Sequence, residues 1–309
     1  MMSPADLKQK TIAVLQGGMS AEREVSLRTG AAAASALMAR GYRIVSIDAD
    51  RDLPRRLIDE KIDIAFICLH GRNGEDGRVQ GLLELLQIPY TGSGVLASSL
   101  MIDKVATKEA LLYHRFVTPD FRVIRRGESV EAFVATVVNG PKVVKPSREG
   151  STIGISVAHN QDALRAGLEQ AMALDRTVVV EEFVDGAELT VSVLNGRALP
   201  IIQIVPRGGF YDYRAKYTAG QTEYLLPAPI ADDLTSEIQS VSEQIYRALG
   251  CRGAVRVDYM LKEQSFYCLE VNTIPGMTET SLLPKAAQAA GLTFGDLVEQ
   301  ILLDADLDK

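Results

Sequence analysis

Two short stretches near the end of the chain hold the residue types best suited to chemistry: Arg256-Val257-Asp258 and Glu270-Val271-Asn272. Each lies in an alternating apolar run, residues 254–260 and 266–272, and the polar Leu261-Lys262-Glu263-Gln264-Ser265 between them reads as a hairpin loop. Side chains two apart on a strand share a face, so Arg256 sits with Asp258, and Glu270 with Asn272. Folding about Glu263 brings Asp258 opposite residues 268–270. Oxygen-only donors suit a hard cation, Mg²⁺ above all, and that ion usually arrives with nucleotide phosphates. The spacing therefore points to chemistry on ATP. A solvated face of an antiparallel sheet is the competing reading of the same residues. What favours the metal is the sequel, Thr273-Ile274-Pro275-Gly276, a turn that sets backbone N–H groups beside the carboxylates.

Other stretches add candidates. Gly17-Gly18-Met19-Ser20-Ala21-Glu22 joins a strand to a helix but fits neither standard nucleotide fingerprint. Ser20 is placed to cap the helix, and Glu22 then falls in its first turn with Ser26 one turn on. Glu22 and Ser26 could together receive a small cationic group such as an amine, although a carboxylate is favoured there by the helix dipole alone. His70-Gly71-Arg72-Asn73-Gly74 follows the third strand, at the end where open α/β sheets bind ligands. Lys145 closes a strand ahead of the hydroxyl-rich loop 146–154, which could lay N–H and O–H groups over phosphates. Glu181 and Glu188 flank the Asp185-Gly186 turn. They read either as edge-strand charges or as adenine and ribose contacts, and spacing does not choose between these.

The elements that must position these residues follow a simple rhythm. Strand signals at 12–15, 43–48 and 62–69 alternate with helices at 21–40, 52–60 and 79–86, predicting a parallel sheet covered on both faces. Beyond residue 95, helices are expected at 95–99, 104–113, 130–137 and 161–173, and strands at 121–124, 142–145, 177–183, 188–194 and 199–205. Residues 207–224 lack periodicity and read as a lid or disordered segment. Helices at 233–249 and 293–303 finish the chain.

Composition bounds the function classes. The 309 residues are 47% hydrophobic, enough for more than one core. Lys plus Arg number 33 against 40 Asp plus Glu, a net charge of −7, with no basic block, so nucleic acid is not an expected partner. Cys68, Cys251 and Cys268 have no metal-ligand spacing and read as buried thiols in a reducing compartment. With neither a secretory h-region nor a membrane-length apolar run, a soluble cytoplasmic protein is expected.

Taken together the motifs resemble the ATP-grasp superfamily, and within it the D-alanine–D-alanine ligases. The likeness runs from residue 12 to about residue 303 through GGMSAEREVS from Gly17, LHGRNGEDG from Leu69, PYTGSG from Pro89, MIDK from Met101, VKPSREGS from Val144, FYDYRAKY from Phe210, RVDYML from Arg256 and LEVNTIPGMT from Leu269. It implies an α/β, three-domain ATP-grasp fold. Residues 1–95 would form an N-terminal substrate-binding domain on a parallel sheet. Residues 96–185 and 186–309 would form two α+β domains clasping ATP, the second with the lid and the Mg²⁺ site.

The resemblance also implies roles. Glu22 would hold the ammonium of the first D-alanine, with His70 on the substrate side. Lys104, Lys145 and Lys216 would meet the ATP phosphates, and Glu181, Val184 and Glu188 the adenosine. Asp258, Glu270 and Asn272 would hold two Mg²⁺ ions, with Mn²⁺ an alternative. Arg256 and the Gly276 N–H would form the oxyanion site, and Ser281 and Leu282 the pocket for the second D-alanine carboxylate. Ser151 and Tyr217 would join Glu22 in closing the lid. The implied reaction makes D-alanyl-D-alanine through D-alanyl phosphate, for peptidoglycan precursors, in a homodimer. Met19 stands where a Thr is common and Ile274 where some relatives have Ser; neither removes an assigned group. A D-alanine–D-lactate ligase is the nearest rival, and Tyr217 in Ala215-Lys216-Tyr217 argues against it.

Overall fold

The computed structural model describes residues 3–137, 140–150, 152–207, 220–278 and 280–309. A short helix α1 (Pro4–Leu7) leads into β1 (Thr11–Gln16). Then come α2 (Arg23–Ala39), β2 (Arg43–Asp48), α3 (Leu53–Asp59), β3 (Ile64–Ile67) and α4 (Arg78–Leu85). The three strands pair in parallel in the order β2-β1-β3. Alternation sends successive β1 side chains to opposite faces. Ile12 and Val14 join the core under α2, whereas Ala13 and Leu15 pack with Leu57 and Leu83 of α3 and α4. Both faces are thereby covered, as a parallel sheet requires.

Helices α5 (Val95–Ile102) and α6 (Lys104–Tyr113) lead to a second sheet. It comprises β4 (Phe121–Arg125), β5 (Lys142–Pro146), β6 (Ser156–Ala158) and β7 (Thr177–Glu182), ordered β4-β7-β5-β6 and wholly antiparallel. Helices α7 (Val130–Ala135) and α8 (Gln161–Leu174) cover one face, on which Val144, Val178 and Val180 meet Leu164 and Leu168. Val143, Lys145 and Glu181, one residue out of phase, point the other way.

The third sheet holds β8 (Ala187–Leu194), β9 (Arg197–Ala198), β10 (Ile202–Pro206), β11 (Thr222–Leu225), β12 (Ala254–Lys262) and β13 (Ser265–Asn272). Its order is β11-β10-β8-β12-β13, with β9 on β8. Val191, Val193, Val255, Val257 and Tyr259 pack against Ile238 and Ile245 of α9 (Asp232–Ala248). Glu188, Thr190, Arg256 and Asp258 take the opposite face. Helices α10 (Leu282–Ala289) and α11 (Phe294–Leu303) return to the first sheet, where Leu283 and Leu297 share a core with Ile12 and Phe66. All three cysteines are free and buried, and burial pushes each thiol's pKa up.

Two sequence expectations need correction. The non-periodic stretch 207–224 ends in β11, which pairs with β10 from Gln203↔Leu225 to Pro206↔Thr222. Its polar residues hid a strand because β11 is an edge strand and exposes one side. Ser20 does not stand at the N-cap of α2. Its hydroxyl donates to the His70 carbonyl at 2.7 Å and its Oγ accepts from Glu22 N at 3.2 Å, but the N-cap position is Glu22 itself, without a side-chain cap.

Candidate active site

The hairpin predicted around Glu263 is present, with Asp258 paired to Glu270 and Arg256 to Asn272. Directly opposed residues share a face, so all four side chains converge. The loop is tighter than expected: Lys262 already pairs with Ser265, and Glu263 takes a positive φ of 56°. Arg256 donates through Nε and Nη2 to Asp258 Oδ1 and Oδ2 at 2.9 and 2.8 Å, a bidentate pair. Thr190 donates a further hydrogen bond to Asp258 at 2.6 Å. With its amide oriented to suit its neighbours, Asn272 accepts from Arg256 at 3.1 Å and donates to Glu75 at 3.2 Å. Lys104 Nζ lies 3.4 Å from Glu270 and donates to the Glu149 carbonyl at 2.8 Å.

The donor set fits a hard cation: two carboxylates and an amide oxygen on facing strands, with no sulfur or imidazole. Among the described residues no three His, Cys, Asp or Glu side chains cluster for a metal, so the third ligand would have to be the Asn272 amide. A set this small leaves coordination positions for phosphate oxygens and water.

Two cavities meet at this hairpin. The roomier, about 330 Å³, lies between the polar faces of the second and third sheets and is lined by Lys145, Glu181, Val184, Glu188, Asp258 and Glu270. Glu181 is 1% exposed on β7, an interior strand, which removes the edge-charge reading. Its carboxylate lies 2.8 Å from Lys145 Nζ and 3.1 Å from Lys108 Nζ. Burial works against charge on Glu181, yet the two lysines hold its pKa below the usual value. Burial also opposes charge on Lys145, and Glu181 more than offsets it, so that lysine stays protonated.

The second cavity, about 120 Å³, touches Glu22, His70, Lys104, Arg256, Glu270 and Ser281. Asn272, Gly276 and Leu282 also reach it. Glu22 is held in a narrow slot: a Cβ on Gly71 would stand 2.6 Å from its Oε2, and one on Gly150 2.9 Å. The glycine loops after β3 and β5 thus close on one carboxylate. Ser26, expected beside Glu22 as a ligand, is instead buried and donates to the Cys68 carbonyl at 2.7 Å. His70 is buried 3.2 Å from the Thr29 hydroxyl, and burial pushes its pKa down, so it is neutral. Ser281 stands at the N-cap position of α10, where its Oγ accepts from Thr278 N at 2.9 Å. Gly276 passes so close that a Cβ there would lie 2.9 Å from the same oxygen.

Ser151, Lys216 and Tyr217 lie outside the described residues, so the expected lid contacts have no geometry here. Four groups escaped the sequence reading. Glu75 lines the smaller cavity, accepts from Gly71 N at 2.6 Å, and has its pKa raised well above normal by burial and by Glu22. Thr190 binds Asp258 from the neighbouring strand. Asp103 caps α6 and accepts from Ser147 and Arg148 of the loop after β5. Lys108 sits one helical turn after Lys104, a spacing that could have drawn attention to it.

Comparison with known proteins agrees with this layout. The family described as "D-ala D-ala ligase C-terminus" matches residues 113–303, and "D-ala D-ala ligase N-terminus" matches residues 54–93. The chain is 60% identical over 308 residues to a D-alanine–D-alanine ligase of Syntrophotalea carbinolica, covering 100% of both chains. The chain belongs to the D-alanine–D-alanine ligase family. A D-alanine–D-alanine ligase of Citrifermentans bemidjiense is 49% identical over 307 residues, covering 99% of each chain. Among solved structures, the D-alanine–D-alanine ligase of Bacillus anthracis superposes with a TM-score of 0.84 at 38% identity, over 96% of this chain and 97% of that one. The same Bacillus anthracis ligase complexed with ATP gives a TM-score of 0.83 at 37% identity, with 96% of each chain covered. The expected ATP-grasp architecture of the family is therefore the observed one.

Proposed function

We propose that this family member joins two D-alanines into D-alanyl-D-alanine, driven by cleavage of ATP to ADP and phosphate. The observation that carries the reading is the meeting of two cavities at Glu270, one suited to a nucleotide and one to small zwitterions, in a chain 60% identical to a relative with that name. ATP fills the larger cavity, with adenosine against Glu181, Val184 and Glu188 and phosphates toward Lys145, Lys104 and Lys216. Glu22 receives the ammonium of the first D-alanine, beside neutral His70, with Ser151 and Tyr217 closing over it. The carboxylate of that D-alanine attacks the γ-phosphorus, forming D-alanyl phosphate and releasing ADP. The second D-alanine, its carboxylate held at Ser281 and Leu282, attacks the acyl carbon through its amine. The tetrahedral oxyanion faces Arg256 and the Gly276 N–H. Phosphate leaves and the amine gives up a proton.

Asp258, Glu270 and Asn272 would hold Mg²⁺, or Mn²⁺ in its place, and two such ions would neutralise charge on the transferring phosphoryl group. Closure over the acyl phosphate excludes water that would hydrolyse it. We assign residues 1–95 to substrate binding and residues 96–185 and 186–309 to the ATP clasp. A homodimer in the cytoplasm supplying peptidoglycan precursors completes the proposal. Among the described residues no helix is long and apolar enough to cross a membrane. ATP-dependent phosphate release with D-alanine, with the product identified by mass spectrometry beside L-alanine and D-lactate controls, tests the reading. Dipeptide formed one-to-one with ADP supports it; no D-alanine-dependent turnover removes it.

A further inference from the structure

Lys108 is fully buried on α6 and does not line the nucleotide cavity. Its ammonium lies 3.1 Å from Glu181 Oε1, donates to the Thr118 hydroxyl at 2.6 Å, and stands 5.4 Å from the centre of the Phe121 ring. A lysine without exposure is rare unless paired, and its charge must be matched where it lies. Glu181 is shared: Oε2 serves Lys145, and Oε1 faces Lys108 off hydrogen-bond alignment. Burial pushes the Lys108 pKa down and Glu181 works to raise it; with both lysines protonated, two cations against one carboxylate leave the buried group with one net positive charge. Of the three, Lys145 and Glu181 reach the cavity. Were Lys108 absent, the Lys145–Glu181 pair would carry no net charge on a wall that also holds Glu188, Asp258 and Glu270.

We propose that Lys108 is a positioning residue that occupies Glu181 from behind and so keeps the charge of Lys145 available to the phosphates of the nucleotide. The inference rests on the proposed role of Lys145 as a phosphate contact. It separates charge from shape: Lys108 acts on the phosphate-bearing part of the ligand and leaves the adenosine contacts in place.

The test is calorimetric binding of ADP and of adenosine to the full chain and its variants. Lys108→Met keeps the length and apolar bulk of the side chain but removes its charge. It is expected to raise the Kd for ADP about tenfold, about 1.4 kcal/mol, while adenosine affinity moves by less than about twofold. The double variant Lys108→Met, Glu181→Gln restores one net positive charge with no carboxylate to consume it. It is expected to regain most of the ADP-to-adenosine affinity ratio lost by Lys108→Met, a ratio being needed because Glu181 is itself a proposed adenosine contact. The double variant also carries the test if Lys108→Met does not fold, and an ADP-to-adenosine affinity ratio near that of the parent chain is then the expected result. Equal losses for ADP and adenosine would reduce Lys108 to a structural role and overturn the inference. So would a double variant whose ADP-to-adenosine affinity ratio is no higher than that of Lys108→Met or, where the single variant does not fold, is about tenfold below that of the parent. Lys145→Ala serves as the control: unchanged ADP affinity there would remove the phosphate role of Lys145 itself, a failure distinct from that of Lys108.

Discussion

Replacing Asp103 by Ala is expected to damage both stability and nucleotide binding, because one carboxylate fixes the two lysine-bearing segments. Asp103 accepts from Val105 N at 3.1 Å and Ala106 N at 3.3 Å, capping α6, whose first residue is Lys104. It also accepts from the Ser147 hydroxyl at 2.6 Å and Arg148 Nε at 2.8 Å, in the loop that continues from Lys145. Loss of an N-cap costs about 1 kcal/mol. The bond from Ser147 to a charged, largely buried carboxylate adds about 1.5 kcal/mol. The pair with Arg148, whose side chain is 61% exposed, adds about 0.5 kcal/mol at most after screening. Asp103→Ala should therefore cost about 3 kcal/mol in denaturant unfolding, a large part of a typical stability. Burial works to raise the Asp103 pKa, but the Ser147 and Arg148 bonds prevail and lower it. A depressed carboxylate pKa stabilises above the ordinary range and is lost as pH falls through the folded value, so the variant's deficit should shrink in acid. The ATP KM should rise while the D-alanine KM, at saturating ATP, stays closer to its original value. Unchanged stability together with an unchanged ATP KM would refute the shared-anchor reasoning.

The sequence made the hairpin chemistry legible because strand alternation converts spacing directly into a shared face. Arg256, Asp258, Glu270 and Asn272 needed no tertiary information beyond one turn. The parallel first sheet was legible for a similar reason, since β1 and β3 are nearly continuous apolar runs and β2 carries Ile44, Val45 and Ile47 between two charged ends. What escaped depends on partners distant in sequence. Glu181 read as either an edge-strand charge or an adenine contact until β5 and α6 brought Lys145 and Lys108 to its two oxygens. Ser26 looked like a ligand until its hydroxyl turned to the Cys68 carbonyl, across to β3's end. The edge strand β11 and the short β6 carry too few apolar residues to register as strands by pattern. Helix α10 was hidden by Pro284 in its first turn, a position where proline is well tolerated.

Further predictions follow from particular contacts. Gly71→Ala places a Cβ 2.6 Å from Glu22 Oε2 at a φ of +66°, so the D-alanine KM should rise with little change in ATP affinity; equal effects on both substrates would argue against the Glu22 assignment. Glu270→Gln should weaken Mn²⁺ binding about tenfold or more, read by paramagnetic resonance on the nucleotide complex, and unchanged binding would remove Glu270 from the metal set. The Thr293 hydroxyl and then Arg40 hold Asp296 down to about 2, from 3.8. Its stabilising effect is present above 3.8 and is lost as pH falls through about 2, so Asp296→Asn should flatten the stability profile in that window. An identical acid profile for the variant would count against the Arg40–Asp296 contact as a stabilising one.

The most direct test of the central claim follows the oxygen of the substrate carboxylate. Ligation through D-alanyl phosphate forms a carboxylate O–P bond and later breaks the acyl C–O bond, so one substrate oxygen must leave on phosphate. With D-alanine labelled by heavy oxygen in its carboxylate, each phosphate released during dipeptide synthesis is expected to carry one labelled oxygen by mass spectrometry. Dipeptide accompanied by unlabelled phosphate would contradict the acyl phosphate route.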